Sequence, residues 1–109
     1  MGDLEDLKKV LESASLVRLG DNVEIKLRAH RLTKETVFDF TRNRLDRLVK
    51  AELQEKTSNK RKYKAYFDIT KRHDLIIIYK VFKSEVLIIT AYETTRKWQK
   101  RIQRISRRV

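Results

Sequence analysis

Leu75-Ile76-Ile77-Ile78-Tyr79 is the longest unbroken apolar stretch in the chain, and the reading of the fold turns on it. A continuous apolar run of this length fits a strand covered on both faces or nearly so, and therefore a central one. Upstream lie Tyr63, Ala65 and Phe67 with Ile69; downstream lies Val86 to Tyr92, again aromatic and β-branched. Such residues favour strands because their stiff side chains pack well on a pleated surface. Thr70-Lys71-Arg72-His73-Asp74 separates the first two runs and Lys83-Ser84-Glu85 the last two. Those lengths suit hairpins, so the three strands read as an antiparallel meander with Leu75 to Phe82 in the middle.

Working outward, Leu4, Leu7, Val10, Leu11 and Ala14 recur at helical intervals behind Asp3, Glu5 and Asp6, predicting an amphipathic helix over 3–15. Gly20-Asp21-Asn22 signals a turn. After it Val23, Ile25 and Leu27 alternate with Glu24, Lys26 and Arg28, the period of a half-buried strand over 23–28. Thr33 fits an N-cap, with Glu35 in the first turn of a helix through Val37, Phe38, Thr41 and Leu45. Leu48, Val49 and Leu53 extend that helix to about Glu55, although Val49, Ala51 and Leu53 also alternate as a strand; the longer helix is preferred. The polar segment Glu55 to Lys62 reads as a loop. At the end of the chain Trp98, Ile102, Ile105 and Val109 form one stripe of a basic amphipathic helix. The expected architecture is α+β: helices on one face of a three- or four-stranded antiparallel sheet, then that basic helix.

The 109 residues are enough for one hydrophobic core, so residues 1–109 are expected to form a single domain. Lys and Arg total 27 against 15 Asp and Glu, a net charge of +12, beside 40% hydrophobic residues. This is the composition of a folded basic domain, and it points to a polyanionic partner. The charge is uneven. Residues 1–32 balance at six acids and six bases, whereas the last fifteen residues hold seven bases and no acid. Solubility alone does not call for that concentration of charge. No cysteine and two histidines argue against a disulfide scaffold or a structural zinc. With no membrane-length apolar run and an acidic start at Asp3, a soluble cytoplasmic protein without membrane contact is expected. The lack of proline beside abundant Lys, Arg and Glu resembles a thermophile's composition.

No Walker loop, dinucleotide glycine pattern, HExxH or nucleophile elbow is present, so no cofactor is expected. Glu24 and Lys26 have the acid-x-Lys spacing that metal-dependent nucleases place on a strand, but Asp21 is too near in sequence to supply a second acid from another strand. The other chemically capable set is His30 and Arg31 with Tyr79, Lys80, Thr90, Tyr92, Glu93, Thr94 and Arg96. Metal-free RNA cleavage needs a group to take the 2′-hydroxyl proton, a group to protonate the leaving oxygen, and a cation for the phosphorane charge. His30, Tyr92 and Arg96 suit those roles. The bland reading of the same residues is a surface histidine and a tyrosine packed in a sheet. Phosphate contacts are expected from Arg31, Lys60, Arg61, Lys62 and Lys64, and from Lys97, Lys100, Arg101, Arg104, Arg107 and Arg108.

The order Ala29-His30-Arg31-Leu32-Thr33-Lys34-Glu35-Thr36-Val37, then Val86-Leu87-Ile88-Ile89-Thr90-Ala91-Tyr92, resembles small RelE/ParE-like toxin domains over roughly residues 23–96. The likeness is to members with a His, Arg, Ile-Thr/Ser, acid, Val segment and a last strand of the type Val-Ile-Thr-Val-Tyr. It implies a ribonuclease of the barnase, colicin and RelE type, with one or two helices on a twisted antiparallel sheet. It also implies that His30 matches the helix-side histidine, and Thr90 and Tyr92 the polar positions of the last strand. His30 and Arg31 lie closer together than in that pattern, and the basic terminal helix is additional.

The leading expectation is thus a nucleic-acid-binding protein, of RNA rather than DNA, acting as a metal-independent endoribonuclease. A non-catalytic DNA- or RNA-binding module and a metal-dependent nuclease using Glu24 and Lys26 stay open. So does a protein partner or homodimer formed through Trp98, Ile102 and Ile105.

Overall fold

The structure is a computed structural model describing residues 2–95. Its elements in chain order are α1 (Asp3–Ser13), β1 (Leu16–Leu19), α2 (Val23–Ala29), α3 (Lys34–Asn43), a single 3₁₀ turn (Leu45–Arg47), β2 (Leu48–Lys56), β3 (Arg61–Asp68), β4 (His73–Phe82) and β5 (Glu85–Thr95). The expected terminal helix, with Trp98, Ile102 and Ile105, lies outside the described residues. Among the described residues no helix is long and apolar enough to cross a membrane.

The fold is α+β, and the sheet is larger than expected and mixed rather than purely antiparallel. Its order is β1-β5-β4-β3-β2. The meander β2 to β5 is antiparallel throughout, but β1 lies parallel to β5, with Leu16 opposite Glu85 and Leu19 opposite Ile88. Gly20 continues this edge: its N–H donates to Ile88 O at 2.8 Å, and a Cβ there would stand 3.3 Å from the same carbonyl. β4 is the central strand, as its unbroken apolar run requires, and Leu75 to Tyr79 are all buried.

One face of the sheet carries the main core. Tyr63, Phe67, Leu75, Ile77, Tyr79 and Ile88 pack with Leu7 and Leu11 of α1, Val23 and Leu27 of α2, and Val37 of α3. All three helices therefore sit on the same face. Thr33 caps α3 as expected, its Oγ1 accepting from the Thr36 N–H at 3.2 Å.

Two sequence readings are overturned. Residues 23–28 are helix, not strand: Val23 and Leu27, four apart, are buried, while Ile25 between them is 67% exposed. Val-x-Ile-x-Leu matches both periods, and only packing against the sheet decides which pair turns inward. The helix also has a strong stop. Leu32 N–H donates to Leu27 O at 2.8 Å and Arg31 N–H to Arg28 O at 3.0 Å, with Arg31 at φ 59° and Leu27 and Leu32 both buried. That is a Schellman motif with arginine at the left-handed position glycine usually takes.

The second correction concerns α3, which ends at Asn43 rather than near Glu55, so that residues 48–56 form the edge strand β2. Asp39 binds the end of the helix, accepting from Asn43 Nδ2 at 2.9 Å and Arg44 Nε at 3.0 Å. Those bonds, Asn43's first, hold its carboxyl below the ordinary value. Pairing with β3 then outweighs the helical pattern: Ala51 lies opposite Ala65 and Leu53 opposite Tyr63. Pairing also shortens the expected loop, since Glu55 and Lys56 pair with Lys62 and Arg61 and leave only 57–60 to connect the strands.

Candidate functional site

The sheet face away from the helices follows from the register. Three rows of side chains cross it: Lys50, Tyr66, Ile76 and Tyr92; then Glu52, Lys64, Ile78 and Thr90; then Glu55, Lys62, Lys80 and Leu87. A bulge in β5 between Ile88 and Thr90 brings Ile89 to this face as well. Tyr66, Ile76 and Ile78 form a small buried cluster with Ile89 and Tyr92 packed against it.

Cations roof this apolar island. Lys50 Nζ lies 5.1 Å and Lys64 Nζ 5.3 Å from the Tyr66 ring centroid, within cation–π range. The Tyr66 hydroxyl donates to Glu52 Oε1, and burial together with that bond pushes its phenol above the ordinary value. Burial pulls the Lys64 ammonium down, but the Tyr66 hydroxyl and the neighbouring Tyr66, Tyr92 and Glu52 groups outweigh it and hold the ammonium above its ordinary value. Lys64 thus stays charged at neutral pH.

β1 covers the outer edge of β5 only from Glu85 to Ile88, and α2 packs against β5. His30 caps α2, its N–H donating to Leu27 O at 3.0 Å, and reaches past that edge to Tyr92. The two rings lie 5.8 Å apart, centroid to centroid, inclined at 44°. His30 is exposed and Tyr92 half-buried. His30 stands between two helices rather than at the expected joint of strand and helix, because 23–29 is α2.

The structure brings together only part of the expected site. His30, Tyr92, Thr90 and Lys64 share one region, with exposed Arg31 adjoining His30. Tyr79 is excluded, being fully buried with its hydroxyl bonded to Thr41 Oγ1 at 2.7 Å. Burial carries its phenol well above the ordinary value. Glu93 lies opposite Leu75, on the core side of the register. Glu24 and Lys26 fall on α2, where residues two apart point to different sides, and Glu24 pairs with Lys34 at 3.5 Å. The strand geometry needed for the metal-dependent reading is therefore absent. Arg96, Lys97, Lys100, Arg101, Arg104, Arg107 and Arg108 lie outside the described residues.

The other basic residues sit at the far end of the sheet. Lys60 is in the β2–β3 connection, Arg61 opens β3 with its guanidinium 5.7 Å from the Tyr63 ring centroid, and Lys62 lies on the open face. An open groove of about 890 Å³ runs between this connection and the β4–β5 turn, lined by Lys56, Lys60, Arg61 and Lys83 with one carboxylate, Glu85. Glu85 pairs with Arg18. Sequence reasoning missed Lys50 and Glu52, since residues assigned to a helix have no place in a sheet register. Comparison with known protein families, characterised proteins and solved structures found no match for this chain.

Proposed function

We propose that this protein binds RNA on its open sheet face and cleaves it without a metal ion, using His30 and Tyr92. One observation carries the reading: an exposed histidine packed against a tyrosine ring beside the lysines of the open sheet face, in a chain of net charge +12. In the proposed reaction His30 takes the proton of the RNA 2′-hydroxyl. The 2′-oxygen attacks the adjacent phosphorus, the bond from phosphorus to the 5′-oxygen breaks, and Tyr92 gives its proton to that oxygen. The products are a 2′,3′-cyclic phosphate and a 5′-hydroxyl. Lys64 supplies positive charge beside Tyr92, with Arg96 proposed as the second cation from sequence.

The resemblance to RelE/ParE-like domains supports the same reading, since helices on one sheet face leave the other free for substrate. The test is incubation of end-labelled RNA and DNA with the full chain, with and without EDTA. Cleavage of RNA alone, indifferent to EDTA and yielding cyclic phosphate ends, is the expected result. EDTA-sensitive cleavage, or none, would reject it; binding without cleavage would make this a nucleic-acid-binding module.

A further inference from the structure

We infer that a single strand of RNA runs along β3 and β4, from the His30–Tyr92 pair across Lys64, Lys62 and Lys80 to an anchoring subsite in the groove beside Lys60 and Lys83. The inference rests on the RNA-binding reading above and adds a path and a second site to it.

Lys62 and Lys80 are directly opposed across two strands, both on the open face. Like charges in that relation repel and destabilise a sheet. Lys62 has Glu55 at 4.0 Å, but Lys80 is half-buried and makes no ion pair among the described residues. An anion lying over the pair would relieve this repulsion. Lys64 is next along β3, so the cations form a line rather than a scattered surface.

The line is narrow. Its β2 border carries Glu52 and Glu55, and its β5 border Leu87, Ile89 and Thr90. Over the Lys62 and Lys64 rows the positive charge is one strand pair wide, with acids on one side and uncharged residues on the other, and Lys50 adds a cation on β2 only at the Tyr66 end; that width suits one phosphate backbone and not the two of a duplex. From Ile76, opposite Tyr92, to Phe82 at the groove is six residues of β4, about 20 Å at strand rise. That span corresponds to about four nucleotides, the low end of single-strand site sizes.

The groove has the matching character, with cations outnumbering its one carboxylate, itself paired. Lys83, on its rim, takes φ 45° in the two-residue β4–β5 turn, a conformation in which glycine is usual. A charged side chain at that strained position accords with a role for the charge.

The test uses fluorescein-labelled, fully 2′-O-methylated oligouridylates, which bind without being cut, with anisotropy read at several salt concentrations on the full chain. Lys80→Gln is expected to flatten the slope of log affinity against log salt by about 0.7, and Lys60→Gln with Lys83→Gln by about twice that. Lys80→Arg should restore the slope, and Lys8→Gln, on α1 behind the sheet, should leave it unchanged. Lys80→Gln relieves a repulsion, so its melting temperature should not fall; the Lys60/Lys83 double variant, outside the core, gives an independent measure of the path. If wild type binds RNA but these variants keep its slope, the path is wrong and RNA binding stands. Equal affinity for an RNA duplex overturns the single-strand assignment. No binding by wild type would remove the proposed function and the path together.

Discussion

The hydroxyl of Tyr79, on the central strand, lies 2.7 Å from Oγ1 of Thr41 on α3, and this bond joins the helical layer to the middle of the sheet. Thr41 Oγ1 donates its single proton to Val37 O at 2.8 Å, so the Tyr79 hydroxyl is the donor between the pair. The two substitutions are therefore unequal. Tyr79→Phe removes a donor and leaves Thr41 bonded to Val37, costing about 1 kcal/mol. Thr41→Val strands a buried phenol hydroxyl, costing about 1–3 kcal/mol. Denaturant titration should rank them in that order, and the double variant should cost less than the sum.

Tyr79 also sets an alkaline limit. Burial raises its phenol above the ordinary value of 10.0, so the folded state holds the proton more tightly than the unfolded chain. That contribution is fully present below pH 10 and is lost as pH rises beyond it. Tyr63 and Tyr66 shift in the same direction, again chiefly through burial. Stability should fall above about pH 10, less steeply in Tyr79→Phe; equal slopes in thermal melts would contradict the assignment.

Arg31 occupies the left-handed position that ends α2. Arg31→Gly should raise stability by about 1 kcal/mol, the lower range of the penalty for a side chain in that conformation. It should also weaken RNA binding by removing a cation next to His30. Melting and anisotropy measured on the same preparation test both halves.

The helical reading of residues 23–29 makes its own contrast. Leu27→Ala should cost about 2–5 kcal/mol, as expected for a buried leucine, whereas Ile25→Lys, on the exposed side, should change stability by less than about 0.5 kcal/mol. A strand with Val23, Ile25 and Leu27 all inward would make both changes severe.

For catalysis, His30→Ala should slow RNA cleavage by about 10²- to 10⁴-fold, the usual contribution of a general acid or base, while leaving affinity nearly intact. Arg104→Ala should do the reverse, lowering affinity and its salt dependence without changing the rate at saturation. Single-turnover cleavage and direct binding separate the two, and a His30→Ala protein as active as wild type would remove the imidazole from the mechanism.

Much of this molecule is local in origin. The apolar run Leu75 to Tyr79 determines a buried central strand, and the short connections around it determine an antiparallel meander. Thr33 caps α3 through its own hydroxyl, three residues from its partner. His30 and Tyr92 stood out by residue type alone, whereas their proximity, ring centroids 5.8 Å apart, came from the packing of α2 against β5. What tertiary structure alone decided was the choice between helix and strand where the sequence pattern fits both periods. Residues 23–29 became helix because that turns Val23 and Leu27 into the core beneath the sheet and leaves Ile25 outside; Leu48 to Lys56 became strand by pairing with β3. The parallel pairing of β1 with β5 joins segments far apart in the chain, and the opposition of Lys62 and Lys80 depends on the register of the β3–β4 hairpin. Hydrogen-bond partners and charge neighbours of that kind are properties of the packed sheet, and no local pattern encodes them.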